Sequence, residues 1–173
     1  MIILLGYMGC GKSSIGQYIS QEKDVVHCDL DSYIEEKESL SIPEIFKIKG
    51  EIYFRKIEHK YLSDILIQNK CKILSLGGGT PCYADNMQLI NSHQYESYYL
   101  KVNLEKLTNR LFEQKNDRPL ISGIQTKEAL NDFIRKHLFE REYYYRQANN
   151  IIDVSEMGIS EIALKITEKS TGF

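Results

Sequence analysis

Met1-Ile2-Ile3-Leu4-Leu5-Gly6-Tyr7-Met8-Gly9-Cys10-Gly11-Lys12-Ser13-Ser14 decides how the rest of the chain is read. Its apolar start reads as a short buried strand that runs straight into Gly6-x-x-x-x-Gly11-Lys12-Ser13, the full Walker A pattern. The glycines permit dihedrals closed to other residues and bring backbone N–H groups close to an anion. Lys12 adds a point charge for the β- and γ-phosphates, and the Ser13 hydroxyl is placed to ligate Mg²⁺. Ile15 and Ile19 give the next stretch helical spacing, so a helix N-terminus also faces the phosphates. A chance glycine-rich turn does not require these fixed positions between a strand and a helix. Nucleotide binding is the expectation.

Working outward, Val25-Val26-His27-Cys28 reads as a second strand ending on Asp29-Leu30-Asp31. If the backbone stays extended, carboxylates at i and i+2 share one face, at the strand end where open α/β sheets bind ligands. Asp29 is then placed to hold Mg²⁺, directly or through water, and Asp31 to face a hydroxylated acceptor. The other reading is a helix cap and a solvated turn, because Asp caps well and a helix begins near Ser32. His27 reads as a strand residue, with no other His or Cys at metal-ligand spacing.

Residues 32–39 read as a helix whose charged outer face, Glu35-Glu36-Lys37-Glu38, carries no assigned function. Ser41-Ile42-Pro43-Glu44 is a capping box that opens a short helix stopping at Gly50. A longer helix over 51–68 has a buried stripe of Phe54, Ile57, Tyr61, Leu62 and Ile65. On it Arg55 and Glu58 lie one turn apart. They form either a surface ion pair of little value or a guanidinium held rigid to clamp a carboxylate.

Ile73-Leu74-Ser75-Leu76 is a third strand, and Gly77-Gly78-Gly79-Thr80-Pro81 after it implies a backbone that approaches something closely. A short helix over 86–92 precedes a fourth strand, Ser97-Tyr98-Tyr99-Leu100-Lys101-Val102, and a helix over 104–112 carries Arg110. Residues 113–124 are polar and punctuated by Pro119 and Gly123. They read as a mobile lid over a bound nucleotide, since a plain connector does not explain Arg118. A helix over 126–146, a fifth strand at Asn150-Ile151-Ile152-Asp153-Val154 and a helix over 160–168 complete the chain.

Strands alternating with helices predict an α/β fold with three α/β/α layers and a five-stranded parallel sheet. With the Walker A loop on its first strand, this resembles the P-loop NTPases of nucleoside monophosphate kinase-like fold. With no repeat or second composition regime, residues 1–173 read as one domain, with acceptor-binding helices at about 32–68. The net charge of -2 makes no case for nucleic acid or an anionic membrane. No apolar run reaches the ~20 residues that span a bilayer, and the opening strand leaves no room for a leader. Cys10, Cys28, Cys71 and Cys82 lack C-x-x-C spacing and read as buried free thiols of a cytoplasmic protein. No long exposed apolar stripe asks for a partner, so a monomer is expected.

The motifs in order are more specific than any one of them. Gly6-x-x-Gly9-x-Gly11-Lys12-Ser13, Asp29-x-Asp31, Gly50-Glu51-x-x-Phe54-Arg55-x-x-Glu58, Gly77-Gly78-Gly79, Arg118-Pro119-Leu120 and Arg141-Glu142 with Tyr145 together resemble the shikimate kinases. The resemblance runs from Met1 to about Val154.

It implies transfer of a phosphoryl group from ATP to the 3-hydroxyl of shikimate, on the route to chorismate and aromatic amino acids, with Mg²⁺ as cofactor. By the same resemblance Gly9, Cys10, Gly11, Lys12, Ser13 and Ser14 wrap the ATP phosphates. Ser13 and Asp29 serve the metal, with Ser75 nearby. Asp31 hydrogen-bonds the acceptor hydroxyls, and Arg55 and Arg141 hold the carboxylate with a backbone N–H from Gly78 or Gly79. Arg118 reaches the phosphates from the lid, and Arg110 lies near the adenine. Lys12, Asp31 and Arg118 carry the catalysis, Asp31 either as proton acceptor or by orienting the hydroxyl.

The chain departs from the family pattern in Cys10, a larger residue than usual and a thiol open to alkylation. It also lacks a basic residue after Val154 beside the adenine, and it is stiffer than usual at Thr80-Pro81. A gluconate kinase would share the Walker A and a lid arginine but would not need Phe54-Arg55-x-x-Glu58 with Arg141. A GTPase switch would carry Asn-Lys-x-Asp, which is absent. A silent regulatory module would have no reason to keep Lys12, Ser13, Asp29, Asp31 and Arg118 together.

Overall fold

The computed structural model describes residues 1–91, 95–115, 118 and 120–170. β1 (Ile2–Leu5) leads through the P-loop into α1 (Lys12–Lys23), followed by β2 (His27–Asp29), α2 (Leu30–Glu38) and α3 (Ile42–Gln68). β3 (Ile73–Ser75), a 3₁₀ turn (Thr80–Cys82) and α4 (Asn86–Asn91) come next. β4 (Glu96–Lys101), α5 (Leu104–Glu113), α6 (Lys127–Tyr145), β5 (Asn150–Asp153) and α7 (Ile159–Lys169) complete the order. Strand after helix, this is the expected three-layer α/β architecture.

The sheet order is β2-β3-β1-β4-β5, and every pairing is parallel. β1 lies in the middle because all four of its residues are apolar and no more than 2% exposed, as a strand covered on both faces requires. It pairs with β3 from Ile2↔Ile73 and with β4 from Ile2↔Glu96. The chain leaves β1 toward opposite neighbours, so the crevice past its C-terminal end is the topological switch point where such sheets bind ligands. That crevice is where the P-loop lies.

Two boundaries differ from the sequence reading for local reasons. β2 begins at His27 rather than Val25, because the Val26 carbonyl takes both Lys72 N at 2.9 Å and Ile73 N at 3.2 Å at the mouth of the ladder. α2 begins at Leu30 rather than Ser32, because Asp29 caps it, accepting from Asp31 N at 3.1 Å and Ser32 N at 3.4 Å. Asp31 therefore sits in a first helical turn. The extended i, i+2 face expected for the two aspartates does not exist, and Asp29 is the cap that the other reading called for.

The Ser41 capping box is present, with Ser41 N donating to Glu44 Oε2 at 2.8 Å and Glu44 N to Ser41 Oγ at 3.4 Å. α3 breaks where the glycine predicts, at Gly50 with φ 79° and ψ 170°. Of its expected stripe, Phe54, Ile57, Leu62 and Ile65 are buried, and Tyr61 is half-buried. Cys10 and Cys71 are buried, whereas Cys28 and Cys82 are only half-buried, and all four thiols are free. Cys10 is 2% exposed, which shields it from the alkylation expected of a P-loop thiol. In the expected lid, Ile121 N and Ser122 N both donate to Arg118 O at 3.0 Å, and Ile121 is fully buried. Residues 116, 117 and Pro119 of that stretch, Ser92 of the expected short helix and residues 171–173 lie outside the described residues.

Candidate active site

The P-loop connects the central strand to the first turn of α1, with Gly9 at φ 78° and Gly11 at φ 101°. Those positive dihedrals turn residues 9–14 into one wall of a cleft of ≈ 360 Å³. Lys12 is 8% exposed and donates from Nζ to Gly6 O at 2.9 Å and Tyr7 O at 3.1 Å, so its ammonium is held over its own loop. Ser13 Oγ donates to Asp29 Oδ2 at 2.5 Å. Asp29 divides its carboxylate, one oxygen capping α2 and the other on the P-loop serine. Ser75 is fully buried with its hydroxyl 2.9 Å from His27 Nε2, and it pairs across the ladder with Asp29. His27 is thus the strand residue that the sequence suggests.

Asp31 stands on the cleft floor at the start of α2. Burial first, and then the nearby Asp29 and Glu58 carboxylates, push its pKa up to about 7 against the opposing pull of Lys12. On the far side Arg110 donates to Gly9 O at 3.3 Å, and Arg118 donates to Gln114 Oε1 at 3.4 Å. Both arginines line the same cleft. Val154, Met157 and Ile159 close it with an apolar wall. That wall occupies the place where a basic residue is missing from the sequence.

A second cleft, ≈ 800 Å³, opens between α2, α3 and α6. It contains Arg55, Arg141, Gly78 and Gly79. Arg55 Nη1 donates to Glu58 Oε2 at 2.7 Å, and Glu58 is 1% exposed. The pair is therefore the rigid, buried arrangement and not a surface ion pair. Arg141 lies with its guanidinium carbon 5.8 Å from the Tyr7 ring centroid and forms no ion pair among the described residues. Phe46, Phe54 and Leu120 supply apolar surface to the same cleft. A site with two arginines, an apolar lining and few unspent carboxylates suits a small hydroxylated monoacid.

The two clefts share Met8, Asp31 and Gly78. A ligand phosphate on the P-loop and a hydroxyl of a second ligand would thus meet at Asp31. Tyr145, fully buried, donates to Gly78 O at 2.5 Å and braces the glycine triplet at this junction.

Several contributors carry no role in the sequence reading. Tyr145 belongs to the recognised motif, but its partner Gly78 is 67 residues away. His137 lines the acceptor cleft and meets Tyr7 Oη at 3.3 Å across 130 residues. Thr80 and Tyr83 belong to the turn after the triplet and reach Glu58 and Arg55. Glu38, from the run without assigned function, accepts from Lys49, Tyr53 and Tyr61 at 2.9, 2.8 and 2.8 Å. Only Thr80 and Tyr83 lie beside a local signal, the glycine triplet and Pro81.

Comparison with known proteins comes to the same place. A family model described as shikimate kinase matches residues 8–171. A shikimate kinase from Flavobacterium johnsoniae is 45% identical over 167 residues, covering 96% of each chain. A crystal structure of shikimate kinase from Bacteroides thetaiotaomicron aligns with a TM-score of 0.87 at 32% identity, covering 96% of each chain. A shikimate kinase from Acinetobacter baumannii, solved in complex with shikimate, aligns at 0.82 with 30% identity, over 96% of this chain and 90% of that one.

Proposed function

The chain belongs to the shikimate kinase family, and from that membership we propose how its two joined clefts divide the work of the reaction. The protein phosphorylates the 3-hydroxyl of shikimate with ATP, giving shikimate 3-phosphate on the route to chorismate and the aromatic amino acids. ATP occupies the P-loop cleft and shikimate the Arg55–Arg141 cleft. The observation that carries this assignment is their meeting at Asp31, Met8 and Gly78.

Residues 9–14 and the α1 N-terminus wrap the phosphates, and Lys12 leaves its carbonyl partners for the transferring group. Ser13 and Asp29 suit Mg²⁺, because a hydroxyl and a carboxylate already converge to 2.5 Å and a hard cation prefers oxygen. Held there, the ion would neutralise charge on the ATP phosphates. A protein cage is unnecessary when phosphates and waters complete the sphere; among the described residues no cluster of three or more His, Cys, Asp or Glu forms one. Arg110 covers the adenine side opposite Met157 and Ile159. Arg118, from a lid over 113–124, adds a cation where charge spreads in the transition state. Asp31 accepts a hydrogen bond from the reacting hydroxyl, and its raised pKa suits it to take the proton. Arg55, Arg141 and the Gly78 or Gly79 N–H hold the carboxylate. An acceptor without that group would leave two guanidiniums unpaired.

Residues 1–173 act as one domain and, in this reading, as a cytoplasmic monomer without nucleic-acid or membrane partners. Among the described residues no helix is long and apolar enough to cross a membrane.

The test is ADP release with Mg·ATP, with and without shikimate, beside gluconate and a nucleoside monophosphate. Stimulation by shikimate alone is expected. ATP binding with no stimulated release would overturn the assignment.

A further inference from the structure

The turn that follows the glycine triplet does more than complete a loop. Glu58 is a buried carboxylate, and a buried carboxylate needs both oxygens satisfied. Oε2 takes Arg55 Nη1 at 2.7 Å, and Oε1 takes the Thr80 hydroxyl at 2.7 Å. Thr80 is itself fully buried, and its carbonyl accepts from Asn86 Nδ2 at 2.8 Å. With its amide nitrogen committed there, Asn86 presents Oδ1 to His59 Nδ1 at 2.7 Å, so that nitrogen carries the proton. The chain of bonds leaves α3 at Arg55, crosses the turn and α4, and returns to α3 at His59. It is closed.

Tyr83, the residue after the 3₁₀ turn, supplies the second restraint. Its ring lies 3.7 Å from the Arg55 guanidinium carbon, a stacking distance. Arg55 Nε is buried without a hydrogen bond; Glu51 Oε1 lies 3.5 Å away, outside bonding geometry. The plane of the guanidinium is therefore set by the Nη1 bond and the Tyr83 face. A Cβ on Gly79 would stand 3.0 Å from Nη1 and 3.1 Å from Nη2, so the fork lies directly against the triplet's bare backbone.

We propose that Thr80 and Tyr83 are positioning residues for acceptor recognition: Thr80 fixes Glu58 and through it Arg55, and Tyr83 fixes the plane of the Arg55 fork. The proposal rests on Arg55 being a carboxylate clamp. Thr80 is buried outside the lining of both clefts, and Tyr83 lines the acceptor cleft beside Arg55 and not the P-loop cleft, so loss of either acts on acceptor binding and not on the transfer step.

The experiment is steady-state kinetics on Thr80→Val, Thr80→Ser, Tyr83→Leu and Tyr83→Phe, each alone and in an Arg55→Ala background. Thr80→Val should raise the shikimate KM about tenfold, the weight of one hydrogen bond to a charged group. Tyr83→Leu should raise it about threefold, the weight of a partly exposed stack. In both, kcat should stay within about twofold and the ATP KM should not move. Ser and Phe, which restore the hydroxyl and the ring, should return the shikimate KM to the parent value. In the Arg55→Ala background all four should have no further effect on it.

Tyr83 is 36% exposed, so its variants fold even where Thr80→Val leaves Glu58 too poorly satisfied to do so. An Arg55→Ala variant with unchanged shikimate KM would overturn the clamp and the proposal together. An Arg55→Ala variant with a raised KM, beside a parent-like Tyr83→Leu and Thr80→Val, would overturn the proposal alone. Persistence of the Thr80 or Tyr83 effect without Arg55 would do the same.

Discussion

Asp29 shows how much one side chain can be asked to do. One oxygen ends a strand and starts a helix, while the other holds the P-loop serine at 2.5 Å. The helix cap suggested by sequence thus uses one oxygen of the carboxylate and leaves the other on the P-loop serine, the pair to which we assign the metal. Lys12 is simpler. Its ammonium rests on the Gly6 and Tyr7 carbonyls and on Cys10 Sγ at 3.7 Å, so removing it costs the fold those three contacts. Lys12→Ala should lower kcat by about a hundredfold or more, with an unchanged circular dichroism spectrum. Arg141, which has no carboxylate partner among the described residues, is free for a ligand. Arg141→Ala should raise the shikimate KM by about two orders of magnitude while the ATP KM changes little. Lys12, Ser13, Arg55 and Glu58 were legible because their meaning lies in short spacing along the chain. Tyr145 and His137 were not, because their partners lie 67 and 130 residues away.

At the scale of elements, the helix breaks and caps of α3 were legible from single residues. Gly50 takes φ 79° between two helical stretches, and a Cβ there would meet nothing within 4 Å. Gly50→Ala therefore isolates backbone strain, and urea unfolding should show a loss of about 1–3 kcal/mol. The strand edges were less legible, because apolarity at Val25-Val26 says nothing about which carbonyl the neighbouring strand will choose. The charged run of α2 was misjudged for a related reason. Glu38 is 8% exposed at its side chain and joins α2 to α3 through Lys49, Tyr53 and Tyr61. The hydrogen bonds from Lys49, Tyr53 and Tyr61 hold its pKa down at about 2 from an ordinary 4.5. A lowered folded pKa means stability that is present above about 4.5 and drains away as pH falls toward 2. Urea midpoints measured from pH 6 to pH 3 should fall less steeply for Glu38→Gln than for the parent.

Over the whole molecule, the alternation of strands and helices specified the architecture, because a parallel sheet can be wired only by crossovers. Which strand lies in the centre came from burial: only a strand covered on both faces can be apolar at every position. The meeting of two clefts at Asp31 was not legible, since it depends on α2, α3 and α6 being assembled together. Ligands that fill those clefts should stabilise that assembly. At about a hundred times each Kd, Mg·ADP with shikimate should raise Tm by roughly 10–20 °C, read by differential scanning fluorimetry.

The central place of β1 also has a consequence for how the protein is made. Its partners begin at Ile73 and Glu96, so a ribosome must add more than half of the chain before β1 can be paired on both sides. At cellular elongation rates that interval is on the order of ten seconds. Throughout it, four consecutive apolar residues leave the exit tunnel with two open edges, the kind of segment that holding chaperones bind. The strand that anchors the finished sheet is, during synthesis, the one that waits longest.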